Sequence, residues 1–164
     1  MELYYAIGLA NKTIEPLRPW CDKIEYAGSI RRRQPICRDI DIVAIPSNPG
    51  QFLTALQKMN KDNRAPKGKE KMLQIFLPGM VQVDIYIATP ATWATIFLIR
   101  TGSKEHNRML CTRARQMGMV LHADGRGLAK IPPDGEIPIP CGTEGEIFKA
   151  LALPFKEPAE RECM

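Results

Sequence analysis

Apolar residues at Leu3, Ile7, Ala10, Ile14 and Leu17 recur every three or four positions and predict an amphipathic helix within residues 2–20. Ile24 to Ala27 predicts a short strand that runs into Gly28-Ser29. Ile40, Ile42, Val43, Ala44 and Ile45 predict a buried, β-branched strand bounded by Pro46 and Asn48. Phe52, Leu53, Leu56 and Met59 then predict a second amphipathic helix opening near Asn48-Pro49. The segment 61–71 (KDNRAPKGKEK) reads as a basic loop. Met72 to Leu77 and Met80 to Ala88 read as a hairpin turned at Pro78-Gly79. In its second strand Val81, Val83, Ile85 and Ile87 face one way, and Gln82, Asp84 and Tyr86 the other.

Thr89-Pro90 marks a boundary. Two helices, 91–100 and 103–117, flank Thr101-Gly102-Ser103, where Gly102 breaks the first and Ser103 can cap the second. Met119 to His122 and Gly127 to Ile131 read as an antiparallel pair around Asp124-Gly125, followed by an extended connection rich in proline (Pro132, Pro133, Pro138, Pro140). Thr143 with Glu146 forms a capping-box pattern opening a last helix, Glu144 to Leu151. Pro154 and Pro158 end the order, and the tail is polar.

Composition narrows the class. The 164 residues allow an ordinary core in one domain or two small lobes, and 45% hydrophobic with 25% charged residues fits a globular chain. Membrane spanning is not expected, because no apolar run approaches the roughly 20 residues it needs. A signal-peptide pattern is missing too. Five cysteines without a Cys-x-x-Cys pair argue for a reducing, cytoplasmic compartment and against structural zinc. A net charge of +5, with basic residues crowded into 31–38, 61–71 and 100–115, favours polyanionic partners.

The chemistry concentrates in Gly28–Ile45. Asp39 and Asp41 share a strand face, and paired carboxylates at the end of a buried strand repel one another unless a cation lies between them. Divalent metal, Mg²⁺ or Mn²⁺, is the obvious neutraliser. Gly28-Ser29, opening a helical turn, offers backbone N–H groups and a hydroxyl to an anion, with Arg31, Arg32 and Arg33 nearby. A lone Asp-x-Asp is ordinarily a strand end, and a lone Gly-Ser ordinarily a turn. Together they describe a nucleotidyl-transfer site. Asp84, otherwise an ordinary surface acid, completes a metal triad on the adjacent strand. Lys67, Lys69 and Lys71 are candidates for DNA backbone. Isolated His106 and His122 read as structural or solvent-facing, and Trp93 with Phe97 as helix packing.

Gly28-Ser29 followed by Asp39-Ile-Asp41 resembles the signature of the DNA polymerase beta-like nucleotidyltransferase superfamily. VDIYI (83–87), Thr101-Gly102-Ser103 with Asn107, and the closing LPFKEPAER (153–161) resemble family X DNA polymerases in particular. The implied fold is α+β: a palm over 1–89, its mixed sheet flanked by helices, and a small α/β nucleotide-binding, thumb-type lobe over 90–164. By that resemblance Asp39 and Asp41 bridge two metal ions and Asp84 holds one of them. Ser29 and Arg32, beside Gly28, meet the β- and γ-phosphates of a dNTP; Gly102 and Ser103 lie along its sugar, and Asn107 reaches its minor-groove edge. Arg31 and Arg33 meet solvent or DNA phosphate. Arg38, at the usual glycine position, and Lys104, where the animal repair enzymes have an Asp, depart from the pattern and are candidates for DNA contact, with water the other neighbour open to Arg38.

The implied activity is metal-dependent addition of deoxynucleotides to a primer 3′-OH on primer-template or gapped DNA, in short-gap repair, by a monomer. The chain begins at the palm, so neither lyase activity nor a helix-hairpin-helix grip is expected. Ile99-Arg100 stand where the family commonly has Tyr-Phe, and Cys111 where animal repair enzymes have an arginine touching the template. Ile99-Arg100 and the missing hairpin region keep a template-independent or ribonucleotide-adding terminal transferase as the alternative.

Overall fold

The computed structural model describes residues 1–61, 64–69 and 71–162, with the backbone alone for Lys69. The architecture is mixed α/β, built on a five-stranded mixed sheet and a separate three-stranded sheet. The larger sheet comprises β1 (Cys21–Tyr26), β2 (Ile40–Pro46), β3 (Lys67–Lys69), β4 (Met72–Leu77) and β5 (Val81–Ile87), in the order β1-β2-β5-β4-β3. Among the described strands of this sheet, only β2 and β5 run parallel. Their crossover contains α3 (Pro49–Met59), capped by the Asn48 side chain.

Alternation along the central strands decides what each face does. Ile40, Ile42, Ala44, Ile75, Val83 and Ile85 point to one side and are buried with Phe52 and Leu56 of α3 and with Ala6, Ala10, Ile14 and Leu17 of α1 (Leu3–Leu17). Fully burying each such Leu, Ile or Phe contributes about 1.5–3 kcal/mol, so this face is the main core. The opposite face is divided. Val43 and Ile45 are covered with Ala27, Ala88 and Trp93, the first residue of α4 (Trp93–Thr101). Asp41 and Asp84 occupy the other half of that face.

A second core holds the remainder together. Leu98 of α4, Leu110 and Ala114 of α5 (Lys104–Gln116), and Ile147 and Phe148 of α6 (Glu144–Ala150) meet Leu121 of β6 (Met119–His122) and Leu128 of β7 (Gly127–Lys130). Strand β8 (Ile137–Ile139) completes the small sheet.

Three differences from the sequence expectation have physical causes. Lys67–Lys69 lies in the segment expected to be a loop, but pairs antiparallel with β4. Backbone hydrogen bonding to a sheet edge needs no apolar pattern. Ile137–Ile139 lies in the proline-rich connection yet pairs with β7, where an edge strand tolerates Pro138. The tail is not merely polar: Pro158–Glu160 makes a 3-10 turn and Arg161 is fully buried. Among the described residues no helix is long and apolar enough to cross a membrane. The four described cysteines are free thiols.

Candidate active site

The site begins where β1 hands over to α2 (Gly28–Arg31). The Ala27 amide donates to the Asp41 carbonyl at 2.8 Å, drawing the turn against the end of β2. Gly28 then adopts φ +56°, and a Cβ there would stand 1.9 Å from Asp41 Oδ2. Glycine is required by both backbone and space. Ser29 follows, its Oγ buried and without a hydrogen-bond partner among the described residues. A buried hydroxyl left unmatched is costly, and an anion at this helical turn would satisfy it.

Asp41 and Asp84 are register partners in the parallel β2–β5 pair, so their side chains leave the same sheet face. Asp39 stands just before β2. Burial pushes the Asp41 carboxyl up to about 7, and the Asp39 and Asp84 charges push the same way. A hydrogen bond with Tyr86 and the nearby Arg32 oppose them. Tyr86 is itself pushed up to about 12, by burial first and then by the Asp41 charge. Asp84 is 7% exposed and accepts from Gln74 Nε2 at 2.9 Å and Gln82 Nε2 at 3.0 and 3.1 Å.

These carboxylates sense one another but are not drawn around one point. Among the described residues no three His, Cys, Asp or Glu side chains are grouped to hold one ion. The donor set nevertheless fits a hard cation: three carboxylates, one of them pushed up by burial and then by the charges of the other two, a burden a cation would relieve.

A cavity of about 940 Å³ opens in front of this cluster. Gly28, Ser29, Arg32, Asp39 and Asp41 line one side. Gly102, Lys104, Asn107, Arg108 and Arg115, from the α4–α5 turn and α5, line the other. Residues 96–162, which supply that second wall, match the family described as DNA polymerase beta thumb. The chain is 28% identical to DNA polymerase lambda of Rattus norvegicus, over 82% of this chain and 28% of that protein. It is 24% identical to DNA polymerase/3′-5′ exonuclease PolX of Bacillus subtilis (strain 168), over 96% of this chain and again 28% of the relative. The chain is similar to the family X DNA polymerases. It spans little more than a quarter of the length of these two relatives.

The other positions that the resemblance singles out fall unevenly around the cavity. Asn107 lines it while its Nδ2 donates to the Ile99 carbonyl at 2.7 Å, leaving Oδ1 buried and unmatched among the described residues. Gly102 packs on Arg32, where a Cβ would lie 3.1 Å from Nη1. Ser103 is placed differently from the rest. Its buried Oγ caps α5 by accepting from the His106 amide and donates to the Arg161 carbonyl at 2.8 Å. Arg38 and Lys104 line the cavity, as do Ile99, Arg100 and Cys111. Lys67 and Lys71 stand outside its lining. Lys67 reaches over the Phe76 ring instead, 5.9 Å from its centre. The Lys69 side chain lies outside the described residues.

Arg31 is a correction. Expected to meet solvent or DNA phosphate, it is bound by both Glu144 oxygens (2.8 and 2.6 Å) and by Thr101 Oγ1, with its guanidinium 3.8 Å from the Phe97 ring centre. Trp93 and Phe97 pack together as expected, 5.0 Å between centres. Sequence reasoning missed the ties of three charged residues: Glu144, which holds Arg31 and Arg161, Arg161 itself, and Glu162, which lines the cavity and holds Arg32. Each is tied to a residue far away in sequence, beyond the reach of local periodicity.

Proposed function

We propose that this chain carries the nucleotidyl-transfer site of a DNA polymerase, with a palm at 1–89 and a nucleotide-binding, thumb-type lobe at 90–164. In this reading it adds deoxynucleotides to a primer 3′-OH, filling short gaps in DNA repair. The observation that carries it is the meeting in one cavity of an anion cradle, Ser29 and Arg32, with the acids Asp39 and Asp41, whose register partner Asp84 stands beside them on β5. A triphosphate needs the first, and a divalent cation bound to it needs the second.

Ser29 Oγ and the α2 turn take phosphate oxygens, and Arg32 supplies the charge. Gly102 keeps the far wall low enough for the sugar. Asn107 presents its unmatched Oδ1, and Ser103 acts through the turn it caps rather than by touching the nucleotide. Asp39, Asp41 and Asp84 would hold Mg²⁺ or Mn²⁺. Such ions sharpen the primer hydroxyl as a nucleophile and neutralise charge on the phosphates. Arg38, Lys104, Arg108 and Arg115 form a basic rim suited to DNA backbone, while Lys67 and Lys71 would meet duplex only beyond the cavity. Primer extension on a gapped duplex with Mg²⁺ tests the reading. Full activity in an Asp39→Ala protein would contradict it.

A second reading is template-independent or ribonucleotide addition, favoured by Ile99-Arg100 on the cavity wall and by Arg100 folded over Tyr86. Faster extension of a plain single strand than of a gapped duplex, or equal use of rNTPs and dNTPs, would support it over the first.

A further inference from the structure

We infer that Glu162 is a built-in competitor for the phosphate-binding arginine, a carboxylate that an incoming polyphosphate must displace. The inference rests on the nucleotidyl-transfer reading and concerns how that site is regulated.

Arg32 Nε donates to Glu162 Oε1 at 2.5 Å, and Arg32 Nη1 donates to the Thr101 carbonyl. Glu162 lines the same cavity as Gly28, Ser29 and Arg32. The two halves of the cradle therefore stand in different states. The Ser29 hydroxyl has no partner among the described residues, whereas the arginine already carries an anion from its own chain.

Glu162 is delivered there by an anchored neighbour. Arg161 is fully buried, with Nη1 2.8 Å from Glu144 Oε1, Nε donating to the Lys156 carbonyl, and its own carbonyl accepting from Ser103. One residue beyond such an anchor, the carboxylate is kept within reach of Arg32. The pair is still open to exchange, because the Glu162 side chain is 39% exposed and its attraction is partly screened. A phosphate chain approaching Arg32 from the cavity meets a like charge first. Its apparent affinity falls by the fraction of time that Glu162 holds the guanidinium.

The opposite role, Glu162 aiming Arg32 at the phosphates, predicts the opposite sign. Calorimetric titration of the full chain with inorganic triphosphate, without metal, separates them. Glu162→Gln keeps the shape and removes the charge, and is expected to bind triphosphate about three- to tenfold more tightly. Asp134→Asn makes the same charge change at an exposed turn and is expected to leave the affinity unchanged. Unchanged or weaker binding in Glu162→Gln, or equal tightening in Asp134→Asn, overturns the inference. If Asp39→Ala abolishes primer extension while Glu162→Gln leaves triphosphate affinity unchanged, the competitor role alone fails. If Asp39→Ala keeps extension while Glu162→Gln tightens binding, the transfer reading fails and the competitor stands.

Discussion

Arg31 and Glu144, 113 positions apart in sequence, form a two-pronged ion pair with contacts of 2.8 and 2.6 Å. Arg161 joins the same carboxylate from the buried tail, so one acid tethers α2, α6 and the chain end. Burial alone would push the Glu144 carboxyl up; hydrogen bonds and charge from the two arginines outweigh it and hold the group below the usual range. Glu144→Gln leaves two shielded guanidinium groups short of a counter-charge, and is expected to cost about 2–4 kcal/mol in urea denaturation. Because the folded pKa is depressed, the ionic contribution is present above the ordinary glutamate value and is lost as pH falls through the lowered one. Wild type and Glu144→Gln should therefore converge in stability only in strong acid.

Gly28→Ala tests the close approach of the turn to Asp41. The added methyl collides with the carboxylate at a positive φ, so either the aspartate or the turn must move. Stability should fall by about 1–3 kcal/mol. Extension activity should fall on the order of a hundredfold or more, since misplacing a reacting group by about 1 Å suffices for that. Activity near wild type would mean that Asp41 is free to sit elsewhere.

His106 gives a pH signature. It is fully buried against Phe148, and neither ring nitrogen has a partner among the described residues. Burial lowers its pKa to about 4; Arg161 and Lys156 push the same way and Glu144 opposes them. The folded state therefore resists protonation. Its stability is full above the unfolded value near 6.5 and is lost as pH falls from there toward 4, by about 2 kcal/mol at pH 5. Urea midpoints between pH 7 and pH 5 should show this slope in wild type and a flatter one in His106→Phe.

The basic rim has a salt signature. Arg108 and Arg115 line the cavity from α5, and replacing both with alanine removes two candidate phosphate contacts. DNA affinity should weaken, and the slope of log K against log salt should become shallower by about 1.5–2. Lys67→Ala, outside the cavity lining, should change both far less.

Local pattern carried the frame of this site. Alternation in β2 and β5 places Asp41 and Asp84 opposite the apolar core, and the Gly28-Ser29 turn requires only a strand followed by a breaker. Residues whose role depends on distant partners were not legible. Arg31 reads as one of three exposed arginines until Glu144 arrives from α6, and Arg161 lies in a segment that looks polar throughout. Ser103 carries a capping signal, which the structure honours, but sequence could not say that its hydroxyl is also engaged by the tail. The Lys67–Lys69 strand was hidden because edge pairing depends on β4 and leaves no mark on KGK itself.

In the proposed reading, Asp39, Asp41 and Asp84, beside the Ser29–Arg32 cradle, hold the cations of nucleotidyl transfer. Primer extension on a gapped duplex with Mg²⁺, comparing wild type with Asp41→Asn, tests it most directly. A loss on the order of a thousandfold is expected, with the variant still folded. Extension by Asp41→Asn within a few-fold of wild type would contradict it.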